Sequence, residues 1–281
     1  MKKKVTTIIL ILIFMAGLAI LAYPTVSDYW NSFHSSRAIM SYAETVSGLS
    51  EEEYQRLYSE AAEYNRRVLD RSNPFLPTER EKEEYGQLLN TGGDGIMGYI
   101  EIPIINVTIP IYHGTSEGVL QVAVGHLDWT SLPVGGESTH AVLSGHRGLP
   151  SAELFTRLDR LAVGDLFMLN VLNEVLTYEV DQILIVLPED VSALQIVEGG
   201  DYCTLVTCTP YGINTHRILV RGRRVETQSA HNVRVTSDAI QIEPVLIAPI
   251  VAIPLLIALF SLMFAVDQRE WEDKLEYGDG E

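Results

Sequence analysis

Tyr202-Cys-Thr-Leu-Val-Thr-Cys-Thr-Pro-Tyr-Gly-Ile-Asn-Thr-His-Arg217 reads as a strand, a Pro/Gly turn and the start of a second strand. The first strand covers Tyr202–Cys208 and stops in a cysteine. The second, His216–Val220, opens with Arg217, nine residues after that cysteine. A turn between adjacent antiparallel strands brings such a guanidinium near the sulfur. A thiol at a strand end, just before a turn, sits at the rim of a sheet, where a substrate can reach it.

Outward from this pair, the same texture continues on the N-terminal side. Gly98–Ile102, Val107–Ile111, Thr139–Ser144, Leu166–Val171 and Leu176–Val186 are short β-rich runs. Pro103, Pro110, Gly135-Gly136, Asn173, Gly199-Gly200 and Pro210 punctuate them. Seven or eight strands with few helices indicate a mainly β domain, closed or nearly closed into a barrel. The spacing predicts one short helix over Ser151–Leu161, capped by Ser151, with Leu154, Leu158 and Leu161 on one face.

Upstream the period changes. From Ser36 to about Asp70, apolar residues such as Ile39, Tyr42, Val46, Tyr54, Leu57, Ala61, Tyr64 and Val68 recur at three and four, as in a helix. Ser50 followed by three glutamates is a good helix start. Pro74 closes the helical stretch. The plain reading of this region is a juxtamembrane stalk. Glu79 to Glu84 reads as a solvated charged face, and Thr91-Gly-Gly-Asp-Gly95 as a linker or turn.

Two runs match the length of a membrane span, about 17–25 residues. Val5–Tyr23 is uncharged and follows three lysines; it reads as an uncleaved anchor, with a cleaved signal peptide as the alternative. Val245–Val266 is a second uncharged run, which Pro249 and Pro254 would bend. The lysines before the first run place the N-terminus in the cytoplasm and the region after it outside. The expected division is therefore an anchor over 1–24, a helical stalk and lid over 25–95, and a barrel over 96–227. A tether over 228–244, a transmembrane helix over 245–266 and an acidic cytoplasmic tail over 267–281 complete it. The expectation is a two-pass protein with its barrel outside the cell. The net charge of −17 argues against a nucleic-acid partner.

The chain has two cysteines, Cys203 and Cys208. Five positions apart on one strand, they point to opposite faces and make a poor disulfide. Cys203 reads as a buried, inert thiol, and Cys208 as a candidate nucleophile or a packed residue. A nucleophilic thiol needs a base. His146, in Leu143-Ser-Gly-His-Arg-Gly148, lies where an apolar strand gives way to glycines. His126 and His140 read as structural, and His34, His113 and His231 lie in weaker surroundings. His216 points away from its neighbour Arg217. Arg217 is placed to bind an oxyanion, or else to balance acidic surface together with Arg221, Arg223 and Arg224. No metal and no cofactor is expected.

Thr204-Leu-Val-Thr-Cys208 is similar to the sortase signature TLxTC, with the arginine of the next strand in place. Gly125-His-Leu127, Thr139-His-Ala-Val-Leu-Ser-Gly-His-Arg-Gly-Leu-Pro-Ser151 and Tyr211-Gly-Ile-Asn-Thr-His-Arg217 resemble the class C, pilus-assembling sortases. The resemblance implies an eight-stranded sortase barrel at a Gram-positive cell surface. It implies Cys208, His146 and Arg217 as the catalytic residues and Thr207 as a substrate-binding residue. It further implies a lid, whose Asp-Pro-Phe or Asp-Pro-Trp motif matches Asn73, Pro74 and Phe75 here. In the family the aromatic residue packs on the cysteine and the aspartate pairs with the arginine. Asn73 cannot form that ion pair, so a less firmly held lid is expected; Asp70 lies close by but out of register. Pro74 and Phe75 also admit the plain reading of a helix stop and a stray apolar residue.

The implied activity is cleavage of an LPxTG-like sorting motif through a thioacyl enzyme, with the motif gripped by Pro188–Gly200. Transfer goes to a pilin lysine or, in a housekeeping-type sortase, to cell-wall peptide. A non-catalytic membrane-anchored β-domain and a plain cysteine protease are the remaining alternatives.

Overall fold

The computed structural model describes residues 2–227 apart from 72 and 74. The expected tether (228–244), second membrane run (245–266), acidic tail (267–281), His231 and Pro74 lie outside the described residues.

Eight strands close into a barrel. They are β1 (Ile96–Ile102), β2 (Val107–His113), β3 (Val124–His126), β4 (Thr139–Ser144), β5 (Leu166–Val171), β6 (Glu174–Val186), β7 (Asp201–Thr209) and β8 (His216–Val225). Their order around the barrel is β1-β2-β3-β4-β7-β8-β6-β5. Most neighbours are antiparallel, but β2 with β3 and β4 with β7 run parallel. A parallel pair needs a crossover, and β5, β6 and their loops supply it between β4 and β7. The seven strands read from the sequence are all present, with ends extended by up to five residues. The eighth, β3, has only three residues and is too short to show a period.

Alternation sorts each strand into two environments. Ala141, Leu143, Cys203, Leu205, Ile218 and Val220 join Phe155, Phe167 and Tyr178 in the main core. The opposite parity, Val142, Val206 and Leu219, forms a second apolar cluster with Leu194. Leu127, Trp129, Leu184, Val186 and Val191 pack around that outer cluster.

The helical region is docked on the barrel. Helix α1 (Lys2–Ser47) is continuous through Pro24, and its N-terminal part is long and apolar enough to cross a membrane. Helix α2 (Glu51–Leu69) opens with a complete capping box between Ser50 and Glu53. Its Ala61, Tyr64 and Val68 enter the main core. Asn65 brackets Leu132, accepting from its N–H at 2.6 Å and donating to its carbonyl at 3.0 Å. What reads as a stalk is thus one wall of the domain. The charged run after Thr78 is itself a helix, α3 (Glu79–Tyr85), with a second capping box and Tyr85 buried.

The helix expected over Ser151–Leu161 is corrected. The segment is a chain of turns with one 3₁₀ turn at Leu158–Arg160, and Leu154 has φ of 38°. Its backbone donors are spent elsewhere: Phe155 N–H on the His146 carbonyl at 3.2 Å, and Glu153 N–H on the Asp28 carboxylate at 2.9 Å. The leucines at helical spacing do bury, but as the underside of an irregular loop.

Candidate active site

β7 and β8 pair so that Cys208 lies directly opposite Arg217, and Thr209 opposite His216. Directly opposed side chains share a face with Cβ atoms about 4.5–5.5 Å apart. Cys208 and Arg217 therefore stand together, and His216 is turned away. β4 runs parallel to β7 on its other side, with Ser144 beside Val206. Two residues further, the same parity brings His146 beside Cys208, since Gly145 N–H still donates to the Val206 carbonyl at 3.1 Å. Gly145 is required there, because a Cβ would meet the Phe155 ring at 2.8 Å. The three residues read as catalytic thus meet at one end of the barrel, on its outer face, each half-buried.

The other candidates separate cleanly. Cys203 is fully buried, and burial pushes its thiol well above the ordinary range, so it stays protonated. Among the described residues both cysteines are free. His126 is buried with its ring nitrogens on the Tyr85 hydroxyl and the Ser131 carbonyl, and burial lowers its pKa to about 4. His140 lies 2.9 Å from the Gln195 carbonyl and 2.7 Å from the Thr204 hydroxyl, also lowered by burial. His113 has a backbone carbonyl at each ring nitrogen, and His34 lies exposed on α1 with its Nδ1 2.8 Å from the Trp30 carbonyl. Thr207, read as substrate-binding, is 2% exposed, and its hydroxyl donates to the Gly145 carbonyl at 2.7 Å. Its place is between the strand ends rather than on the open face.

Arg217 donates through Nη1 to the carbonyls of Asn214 at 3.2 Å and His216 at 3.0 Å, so it shapes the β7–β8 turn. Among the described residues no carboxylate pairs with it. Asn73 is exposed, and its side-chain oxygen accepts from Phe75 N–H at 3.2 Å, a local turn rather than a contact to Arg217. Asp70 caps the end of α2. Phe75 meets Trp129 edge-on, with ring centroids 5.3 Å apart. Trp129 packs on the outer cluster of Val206 and Leu219, whose parity continues to Cys208 and Arg217. Trp129 was missed in the sequence; it stands in a loop with no period, and only its aromatic bulk marks it.

Arg71 sits at the base of the Asn73–Phe75 segment. It pairs with Glu81 at 2.8 Å and donates to the Trp129 carbonyl at 3.2 Å and the Tyr64 hydroxyl at 3.0 Å. The Thr78 backbone and hydroxyl, together with Arg71, hold the Glu81 carboxyl at about 2. The β6–β7 loop covers the remaining side of the outer face, with Leu194 buried and the Gln195 carbonyl on His140.

The description "Sortase domain" matches residues 100–225. Sortase D of Bacillus subtilis is 34% identical over 131 residues, which is 46% of this chain and 63% of its own length. The chain thus spans under two thirds of that curated relative. The crystal structure of sortase C1 from Streptococcus agalactiae is 53% identical, with a TM-score of 0.66, over 68% of this chain and all of that one. The chain belongs to the sortase family. A sortase C from Streptococcus pneumoniae is likewise similar, 43% identical with a TM-score of 0.59, over 69% of this sortase and 98% of that chain. A sortase C from Clostridium perfringens is similar as well, 43% identical with a TM-score of 0.61, over 68% of this sortase and all of that chain. The eight-stranded barrel inferred from the motifs is the fold observed.

Proposed function

We propose that this sortase is a membrane-anchored cysteine transpeptidase, with α1 as its anchor, and that it joins pilin subunits. The observation carrying the reading is the shared face of Cys208, Arg217 and the His146 strand end, next to the outer cluster on which Trp129 packs. A thiol, a base and a fixed cation on one half-buried surface are the parts that acyl transfer through a thioester requires.

The Cys208 thiolate attacks the threonine carbonyl carbon of an LPxTG-like motif, giving a tetrahedral oxyanion that Arg217 stabilises. The C–N bond breaks, and His146 gives its proton to the departing amine. An incoming amine then attacks the thioester, His146 takes its proton, and the Cys208 thiolate leaves. The two half-reactions balance without a cofactor. The β6–β7 loop and the outer apolar cluster line the surface on which the motif would lie. The likeness to sortases C favours a pilin lysine as the acceptor over cell-wall peptide.

The test is mass spectrometry of the protein with an LPxTG-type peptide, with and without an amine acceptor. An adduct on Cys208, absent in Cys208→Ala and released faster by the amine, is expected. Retained product with Cys208→Ala would refute the assignment. Release by water alone, unaffected by amines, would make the enzyme a protease. Faster turnover with a cell-wall peptide amine than with a pilin lysine would make it a housekeeping-type sortase.

A further inference from the structure

β4 and β7 run off the barrel side by side, and their ends are held by bonds of one parity. Thr207 Oγ1 donates to the Gly145 carbonyl at 2.7 Å, and two residues on, Arg147 Nη1 donates to Thr209 Oγ1 at 3.1 Å. His146 and Cys208 are the residues of the other parity between those rungs. Arg147 is thus the chain neighbour of the base, and Thr209 the chain neighbour of the nucleophile. The arginine's other terminal nitrogen is engaged as well: the side chain is 9% exposed, Nη2 pairs with Asp159, and the guanidinium lies 6.0 Å from the Tyr211 ring centroid, while the buried Nε has no hydrogen-bond partner among the described residues. Tyr211 in turn covers Gly148, where a Cβ would meet the ring at 2.8 Å. One planar cation therefore joins the loop after His146, the strand end after Cys208 and the β7–β8 turn that leads to Arg217.

We propose that Arg147 is a positioning residue, which fixes the His146 imidazole against the Cys208 thiol by tying the loop after β4 to the end of β7. This rests on the reading of His146 and Cys208 as base and nucleophile. A guanidinium serves because it donates in two fixed directions while its face stays against an aromatic ring. A lysine ammonium on a flexible stem does not span Thr209 and Asp159 in that geometry. Without the tie, His146 keeps its loop but loses its register against Cys208, and small misplacements of a catalytic group carry large rate costs.

The experiment uses the full chain, measuring kcat and KM with an LPxTG-type peptide and amine, and the pH profile of Cys208 alkylation by iodoacetamide. Arg147→Ala is expected to lower kcat by about 100-fold with KM held within about twofold. Its alkylation profile should move to that of His146→Ala. Arg147→Lys should not restore the rate. Thr209→Val should lower kcat by about tenfold, and Thr209→Ser, which keeps the hydroxyl, should recover it. The double variant Arg147→Ala with His146→Ala should be no slower than His146→Ala alone, because both remove the same function.

Unchanged kcat in Arg147→Ala, full activity in Arg147→Lys, or multiplied losses in the double variant would overturn the inference. So would a loss matched by unfolded protein with an unmoved alkylation profile. If Arg147→Ala does not fold, the Thr209→Val and Thr209→Ser pair decides the matter by the same readouts. Full activity of His146→Ala would instead remove the catalytic reading beneath it.

Discussion

Five positions separate Cys203 from Cys208, an odd interval on one strand, and the strand's alternation gives them different chemistry. Cys203 is enclosed by the barrel core and held protonated by burial, while Cys208 takes the outer parity beside Arg217. That contrast was legible in the sequence, because strand period and strand end are properties of local order. The histidines were legible by the same logic, His146 at an element's end and His126 and His140 within apolar settings. Thr207 was not, since the outward or inward sense of a hydroxyl at a strand terminus depends on what the neighbouring chain offers it. The burial of His126 has a consequence in acid. Its pKa of about 4 when folded lies below the ordinary 6.5, so the unfolded chain binds the proton first. The stability it contributes is complete above pH 6.5 and is lost as pH falls toward 4, about 2 kcal/mol of it by pH 5. His140, lowered in the same direction, adds to that slope. Urea unfolding of the full chain at pH 7.5 and pH 5 should show the loss. His126→Asn should be less stable at pH 7.5 but flatter between the two values. An unchanged slope in that variant would place the acid sensitivity elsewhere.

Among the elements, the Asn73–Phe75 segment is the one expected to serve as a lid, with an asparagine where the sequence resemblance implies an aspartate. Its base is held by Arg71, whose three partners include the carbonyl of the tryptophan on which Phe75 rests. Its tip has no ion pair to Arg217. Among the described residues the segment is therefore anchored at one end by Arg71, while at the other Phe75 meets Trp129 edge-on, a ring pair worth about 0.5–1.5 kcal/mol beyond its area. Phe75→Ala should accordingly speed alkylation of Cys208 several-fold in the full chain; an unchanged rate would mean that Phe75 does not cover the thiol. Asn73→Asp supplies the carboxylate that the sequence resemblance implies at this position. An exposed pair of this kind contributes about 0.2–1 kcal/mol, so alkylation should slow by up to about fivefold at low salt and recover as salt rises. The sequence showed the segment but not its hold, because Arg71 and Glu81 are ten residues apart and meet only once α3 has folded back. α3 itself was hidden by its composition, a charged run with one buried tyrosine and no apolar period. The turns over 151–161 erred in the opposite sense: their leucines had a helical spacing, but their backbone donors were claimed by His146 and Asp28.

At the scale of the molecule, α1 joins the apolar N-terminal run to the end of the barrel that carries His146 and Cys208. The uncharged run ends at Tyr23, and the Asp28 carboxylate and Asn31 amide then hold Glu153 N–H at 2.9 Å and the Ser151 carbonyl at 2.7 Å. At 1.5 Å per residue these contacts lie only about 8–12 Å along the helix beyond that run. They grip the loop whose Phe155 bonds the His146 carbonyl. With α1 as the proposed anchor, this docking fixes how far the end carrying the proposed catalytic residues stands from the bilayer and how it is turned. A substrate held in the same membrane gains effective concentration only if its motif and Cys208 stand at matching heights. A soluble peptide is indifferent to that match. The double variant Asp28→Ala, Asn31→Ala removes both contacts and should cost about 1–3 kcal/mol of stability. In lipid vesicles it should turn over a soluble sorting peptide at the unaltered rate while losing several-fold against a substrate carried by its own membrane helix. Equal losses against both substrates would show that α1 shapes the His146 loop rather than its height. Equal retention of both would show that the docking serves the fold alone.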